Sequence, residues 1–95
     1  MKERVIKSKG NVFADLGFSR EEAAVLTMRA DLMVRLRIVI NERGWTQQEA
    51  AKRLSIGQSR VSDLVRGKWD KFSLDMLITL AERVGQKPRL VLQAA

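Results

Sequence analysis

Polar side chains that could hydrogen bond to nucleic-acid bases cluster near the middle of the chain. Amide, hydroxyl, guanidinium and carboxylate groups all pair with base edges in the major groove of a duplex. Such side chains recur on one side of a predicted helix, at Gln58, Ser59, Arg60, Ser62 and Asp63. We therefore treat these residues as candidates for base readout, and an ordinary solvated helix face is the alternative.

Three of these side chains suggest specific roles. Gln58 opens the predicted helix, where base edges come within reach, and its amide suits a bidentate pair with adenine worth about 1–3 kcal/mol of discrimination. Arg60 could bind guanine or a phosphate. Asp63 could accept a hydrogen bond from a cytosine amino group, or it could pair with Arg60 or Arg66 at helical spacing.

A second set of residues could bind the phosphates beside such a site. The start of a helix carries partial positive charge and binds anions, which makes Thr46 and Gln47 candidates. Arg66, Lys68 and Lys71 are basic and lie at or shortly after the end of the polar helix. Each could be an ordinary solvated charge, but their clustering beside the polar helix favours phosphate contacts.

The composition argues against catalysis, metal binding and a membrane span. The 95 residues include no Cys, no His and no Tyr, which removes thiolate chemistry, the commonest general base and the usual zinc ligands. We expect no enzyme activity and no cofactor. No apolar run approaches the ~20 residues that span a bilayer, and the N-terminus lacks the apolar core of a signal peptide. We therefore expect a cytoplasmic protein.

The charge balance favours a polyanionic partner. Lys and Arg number 18 against 11 acidic residues, which gives a net charge of +7. In a chain of this size, such an excess points to nucleic acid ahead of a membrane surface. The alternative is that the charge only keeps the protein soluble.

A long helix precedes the polar cluster. Ser19 and Glu22 fit a capping box, and no Gly or Pro follows before Gly44. We predict residues 20–43 as one helix, or as two with a slight bend. A wide apolar stripe along it is assigned to the core, with a dimer face as the alternative; it contains Val25, Leu26, Leu32, Met33, Leu36, Val39 and Ile40.

Two short helices, predicted over residues 47–54 and 58–66, position the polar cluster itself. Thr46 and Glu49 fit a second capping box, and Gly67 stops the second helix. Ala51 lets the two helices approach closely. The wedge between them is filled by Leu54, Ile56, Val61 and Leu64. Short helices joined by a turn of three or four residues cross steeply, which leaves the polar side of the second helix facing outward.

The predicted organisation has three parts. Residues 1–18 are an N-terminal arm that docks onto the core, residues 19–85 are the helical domain, and residues 86–95 are a strand and tail. Ser73 caps a fourth helix over residues 74–84, whose inner face is Leu74, Leu77, Ile78 and Ala81. Leu90, Val91 and Leu92 form a predicted strand that needs a partner. That partner is either its copy in a dimer or the segment around Val12 and Phe13. The predicted fold is mainly α, a compact bundle of about four to five helices with a helix-turn-helix and a short C-terminal β-strand.

The stretch from Gly44 to Gly67 resembles the helix-turn-helix of the phage-repressor-like, or XRE, family. The resemblance depends most on the T-Q-x-E-x-A pattern of residues 46–51. The family places a base reader at the position of Gln58, which favours that role over a solvated side chain. Ser55 departs from the family pattern, which more often has Gly in the turn. A serine can adopt the left-handed conformation there only at some energetic cost.

The similarity extends over about residues 11–92 to a HigA-type antitoxin subgroup. It includes the leading segment, the long first helix and the F-S-x-D-x-L pattern that begins at Phe72. The resemblance implies a homodimer that binds a near-palindromic operator in double-stranded DNA and represses its own operon. It also implies the antitoxin of a type II toxin–antitoxin pair, which neutralises a small, basic, HigB/RelE-like toxin that cleaves messenger RNA. The alternatives are a stand-alone XRE-family regulator without a toxin and a helical interaction adaptor that does not bind DNA.

Overall fold

Five α-helices and one 3₁₀ turn make up the regular structure of residues 12–94. The computed structural model describes residues 12–94, and within that range it contains no β-strand. The helices are α1 (Val12–Asp15), α2 (Arg20–Glu42), α3 (Gln47–Leu54), α4 (Gln58–Val65) and α5 (Leu74–Arg83), with a 3₁₀ turn at Trp69–Lys71 between α4 and α5. The prediction of a mainly helical chain is therefore confirmed. Residues 1–11 of the predicted N-terminal arm and residue 95 of the predicted tail lie outside the described residues.

The helices begin where the sequence places a hydroxyl cap. The Ser19 hydroxyl accepts a hydrogen bond from the Glu22 amide at 3.2 Å, and the Glu22 carboxylate accepts one from the Ser19 amide at 3.1 Å, so the capping box of α2 is complete. The Thr46 hydroxyl accepts from the Glu49 amide at 3.1 Å. The Glu49 carboxylate, however, pairs with Arg53 instead of returning to the cap. The second predicted box is therefore only half formed.

The core lies between α2 and the three helices that follow it. α2 contacts α5 and α4, and α3 contacts both α4 and α5. The apolar stripe of α2 forms one side of this core, as predicted. Two of its residues deviate, because Val25 is exposed and Leu32 is only half-buried. On α5 the predicted inner face is wrong at Ile78, which is exposed. The buried side chains of α5 are Leu77, Leu80 and Ala81.

The wedge between α3 and α4 is closed by small and aliphatic side chains, as predicted. Ala50, Leu54, Val61 and Leu64 have no exposed surface, and Ile56 in the connecting turn packs against them. Fully burying an aliphatic side chain of this size stabilises a fold by about 1.5–3 kcal/mol. The apolar sides of both short helices are thereby fixed to the body of the protein, and their polar sides are left for solvent.

The predicted C-terminal strand is not present. Residues 85–94 have no regular structure, and Leu90, Val91 and Leu92 are 70%, 73% and 89% exposed. A strand needs a neighbour for its backbone hydrogen bonds. The segment around Val12 and Phe13 was the predicted neighbour within this chain, and it is helical because Val12 begins α1.

The described part of the N-terminal segment, residues 12–18, packs onto the fold through aromatic rings. The rings of Phe13 and Phe18 lie edge to face, with centroids 6.1 Å apart. Trp69, in the 3₁₀ turn, packs edge to face against both, at 5.5 Å from Phe13 and 6.4 Å from Phe18. Edge-to-face geometry suits the ring quadrupoles. The cluster therefore ties the start of the described chain to the turn that follows α4.

The turn between α3 and α4 has a left-handed residue at its centre. Ser55 has φ 57° and ψ 46°. Its amide donates to the Lys52 carbonyl at 3.3 Å, and the Ile56 amide donates to the Ala51 carbonyl at 3.1 Å. These two bonds define a Schellman motif, a helix ending that usually has Gly at the left-handed position. The conformation expected of Ser55 is thus observed.

Within residues 12–94, none of the helices has the length and apolarity to cross a membrane.

Candidate nucleic-acid interface

The polar side of α4 faces away from the protein core. Val61 and Leu64 anchor the helix from the inside, and the exposed side chains are Gln58, Ser59 and, directly after the helix, Arg66. The remaining predicted base readers, Arg60, Ser62 and Asp63, are half-buried along the flanks of the helix. The outward face therefore contains the amide and hydroxyl groups that can pair with base edges.

Gln58 lies beside the polar side of α3. Gln48, Lys52 and Gln58 line a shallow cleft between the two short helices, with Ser55 and Gly57 at its edge. Gln48 and Lys52 are exposed and were missed by the sequence analysis. Their spacing of four residues on the side of α3 next to the turn is the signal that could have identified them. The cleft puts an amide and an ammonium group next to the predicted adenine reader.

Asp63 forms an ion pair with Lys68, which the sequence analysis did not name as its partner. Its carboxylate lies 3.7 Å from the Lys68 ammonium, and the Lys68 amide donates to the Asp63 carbonyl at 3.0 Å. The predicted partners were Arg60 and Arg66, at helical spacing. The chain instead folds back at Gly67, so Lys68 reaches the carboxylate from beyond the end of the helix. The pair offsets the only acidic side chain of α4.

Arg60 lies on a flank of α4 against an aromatic ring. Its guanidinium carbon is 4.5 Å from the centroid of the Phe72 ring. Phe72 follows the 3₁₀ turn and is buried. A cation over an aromatic face is attracted by the ring quadrupole, by about 0.5–2 kcal/mol according to exposure.

The start of α3 offers groups that suit a phosphate. Thr46 and Gln47 are exposed. The Thr46 oxygen already accepts a hydrogen bond from the Glu49 amide, and a hydroxyl has one O–H donor in addition. That donor and the first backbone N–H groups of the helix can therefore act together on an anion.

The predicted phosphate residues after α4 are all exposed. Arg66 ends the helix, Lys68 lies one residue beyond Gly67, and Lys71 closes the 3₁₀ turn. Together with Arg60 they place four cationic side chains within or directly after α4. This concentration suits a polyanionic backbone.

A hydrogen bond from α5 holds the end of α3, next to the turn of the helix-turn-helix motif. Arg83 donates from Nη1 to the Leu54 carbonyl oxygen at 2.8 Å. Leu54 is the last residue of α3, where carbonyl groups have no partner within the helix. Arg83 therefore fixes the end of α3 from a helix that follows the motif, and no local pattern in the sequence could have predicted this contact.

The comparison with known families agrees with this geometry. A family model described as a helix-turn-helix domain matches residues 12–92. The match begins at the first residue of α1 and extends beyond α5, so it covers all five helices. No curated protein is similar enough to the chain to count as a match.

Proposed function

The chain belongs to a helix-turn-helix domain family, and from that premise we propose that it is a sequence-specific DNA-binding transcriptional repressor. The observation that supports this most directly is the polar outer face of α4, which is anchored from beneath by Val61 and Leu64. An α-helix fits the major groove, and the N-terminal residues of a recognition helix reach base edges. We propose no catalytic role and no cofactor.

The proposed base readers are Gln58 and Ser59 at the start of α4, with Ser62 and Asp63 on its later turn. Gln58 reads adenine through its amide. Asp63 is paired with Lys68, so a cytosine amino group would share its carboxylate with that ammonium group. We therefore assign most of the sequence preference to Gln58.

The proposed phosphate contacts lie on both sides of these readers. Thr46 and Gln47 supply donors at the start of α3, and Arg66, Lys68 and Lys71 supply charge after α4. The three cations of each of two copies on DNA would make about six charged phosphate contacts, and affinity would then fall about a thousandfold between roughly 50 and 200 mM salt.

The proposed state on DNA is a homodimer. Leu90, Val91 and Leu92 remain exposed, and pairing with the same segment of a second copy would satisfy both their backbone and their apolar side chains. A two-fold dimer would bind a near-palindromic operator whose half-sites lie about 34 Å apart or a multiple of that distance. Mass measurement in solution tests this, and replacing Leu90 and Leu92 with Asp should yield the monomer.

Selection from a random library of duplexes, followed by sequencing, tests the proposal as a whole. We expect a near-palindromic site with regular half-site spacing. If the full chain retains no duplex from the library even at low salt, the chain is not a DNA-binding repressor, and the helical interaction adaptor becomes the better reading.

Substitutions on the two proposed kinds of contact should behave differently. Gln58→Ala should relax preference at one base position, because a bidentate pair is worth about 1–3 kcal/mol of discrimination. Arg66→Ala should weaken all duplexes alike and lower the salt dependence by about one counterion. The matched control is Arg53→Ala, since Glu49 already pairs with that exposed guanidinium at 3.3 Å. An unchanged base preference in Gln58→Ala would show that the reader is assigned wrongly.

The more specific proposal is that this repressor is the antitoxin of a type II toxin–antitoxin pair and regulates its own operon. Its support is the resemblance of about residues 11–92 to HigA-type antitoxins. A short reading frame for a basic, HigB/RelE-like toxin should then lie beside the gene. Co-expression of the chain should restore growth to cells that produce that toxin. A gene without such a neighbour would indicate a stand-alone regulator.

A further inference from the structure

The Arg60 guanidinium lies against an aromatic ring that is buried in the core. The Phe72 ring lies 4.5 Å from the guanidinium carbon and is only 2% exposed. Its amide donates to the Trp69 carbonyl at 3.3 Å, which closes the 3₁₀ turn. A guanidinium attracted to such a fixed ring loses much of the freedom of a long side chain before any ligand arrives.

The donors of Arg60 remain available. Arginine has five N–H donors in a planar fork, and attraction to an aromatic face uses none of them in a hydrogen bond. Among residues 12–94, the Arg60 side chain has no salt bridge, and its nitrogens are not among the buried atoms that lack a partner. Within the described part of the chain, the fork therefore has no ion-pair partner and its nitrogens are accessible, a combination that suits a bidentate oxygen ligand.

The position of Arg60 on α4 decides between a base and a phosphate. Consecutive helix residues are about 100° apart, so Arg60 lies about 200° around α4 from Gln58. Gln58 faces the cleft with Gln48 and Lys52. Arg60 faces the opposite flank, toward Phe72 and its exposed neighbour Lys71. A helix in the major groove has base edges in front of it and a phosphate backbone on each side.

We infer that Phe72 is a positioning residue that holds Arg60 to bind a backbone phosphate on the groove wall beside the 3₁₀ turn. This inference rests on the proposed DNA binding, and it assigns Arg60 to a phosphate instead of a guanine. Lys71, which is exposed and directly precedes Phe72 in the chain, is a second cation close to this turn in sequence. Affinity then depends on an aromatic residue that never touches DNA.

The role of Arg60 is tested with the full chain and a duplex taken from the library selection. Arg60→Gln should weaken binding to all duplexes by about tenfold and reduce the slope of log affinity against log salt by about 0.9, the contribution of one phosphate. The base preference measured by a second selection should not change. A preference relaxed at a single base position would overturn the inference, because it would identify Arg60 as a base reader.

The role of Phe72 is tested by a double-mutant cycle. Phe72→Leu keeps an apolar core residue and removes the ring. It should weaken DNA binding about three- to tenfold in the wild-type background and cause little further loss beside Arg60→Gln. A purely structural role would give the same loss in both backgrounds, and that additive result would overturn the inference. Thermal unfolding checks that each variant is folded at the temperature of the assay.

A second variant tests the guanidinium fork of Arg60 and does not depend on whether Phe72→Leu folds. Arg60→Lys retains the charge but replaces the planar fork with an ammonium group. It should keep the salt slope of the wild type and bind several-fold more weakly. Affinity equal to that of the wild type would overturn the inference. If the wild type itself binds no duplex, the proposed function fails; if it binds and the cycle is additive, only the present inference fails.

Discussion

Replacing Ser55 with glycine should raise the free energy of unfolding by about 0.5–1 kcal/mol. Ser55 is the only residue other than glycine with a positive φ among residues 12–94. A left-handed conformation costs an L-residue about 1–2 kcal/mol, and glycine avoids that cost. Glycine also has more freedom in the unfolded chain, which subtracts about 0.4–1 kcal/mol. The difference favours the variant.

The chain contains a reciprocal control for this substitution. Gly44 ends α2 with φ +64°, close to the 57° of Ser55, and a Cβ at Gly44 would meet no atom within 4 Å. The Trp45 amide donates to the Ile40 carbonyl and the Gly44 amide to the Asn41 carbonyl, which is the same Schellman pattern. Gly44→Ser therefore introduces the same strain without a clash. It should lower stability by an amount similar to the gain at Ser55.

Thermal and urea unfolding of the two single variants and the wild type measure the effect. In a domain of this size, 1 kcal/mol corresponds to about 4–8 °C in melting temperature. We therefore expect Ser55→Gly to melt roughly 2–8 °C above the wild type. A decrease in stability for Ser55→Gly would refute the strain argument for Ser55. If Gly44→Ser also lowered stability, as strain at Gly44 predicts, the serine side chain would be shown to stabilise the turn at residue 55 by more than the strain costs.

Three further substitutions test contacts that hold the fold around the motif. Arg83→Met removes the donor to the Leu54 carbonyl and should lower the free energy of unfolding by about 1–2 kcal/mol; a midpoint of urea unfolding equal to that of the wild type would contradict this. Ser19→Ala removes the side-chain hydrogen bond that is the largest cause of the lowered pKa of Glu22, and it leaves the backbone hydrogen bond from residue 19 in place. Because the pKa of Glu22 is depressed in the folded state, its ionised carboxylate stabilises the fold above about pH 4.5. This stabilisation is lost as pH falls through the folded-state pKa. The gap in melting temperature between Ser19→Ala and the wild type should therefore shrink between pH 7 and pH 3, and a constant gap would refute the assignment. Trp69→Ala should destabilise by about 2–3 kcal/mol and speed amide exchange in α1 selectively; uniform exchange would show that the aromatic cluster does not anchor the segment.

The helix boundaries could be predicted because local chemistry sets them. Hydroxyl caps at Ser19, Thr46 and Ser73 begin three helices, as expected. The predicted ends lie within one residue of those observed for α2, α4 and α5. Caps depend on residues three positions apart, so a sequence states them directly.

The wrong predictions, the C-terminal strand and the inner face of α5, have a common physical origin. Both depend on which neighbouring element the residues pack against. Leu90, Val91 and Leu92 have strand propensity, but propensity reflects packing against a neighbouring strand. On α5, apolar residues occupy more than one side, so periodicity alone could not decide whether Ile78 or Leu80 faces the core. The packing of α2 and α3 on α5 determines which of its sides faces the core.

The exposure of the leading candidate residues was predictable from the sequence, but the pairings around them were not. The sequence identified Gln58 and Ser59 as outward and polar, and they are exposed. The Asp63–Lys68 pair depends on the reversal at Gly67, and the Arg60–Phe72 contact depends on how the 3₁₀ turn returns to the core. Helical spacing describes contacts within a helix, so it could not foresee contacts made beyond the end of one.

α4 owes its form to the core beneath it. It has eight residues, and Gly57 gives it no side-chain cap, whereas isolated helices shorter than about 12–15 residues are marginal in water. Val61 and Leu64, with no exposed surface, therefore hold the helix in place. It follows that substitutions on the inner face would unfold the site. Exchanges at exposed Gln58, Ser59 and Arg66 leave the core intact, so their effects on DNA affinity can be interpreted as contact energies.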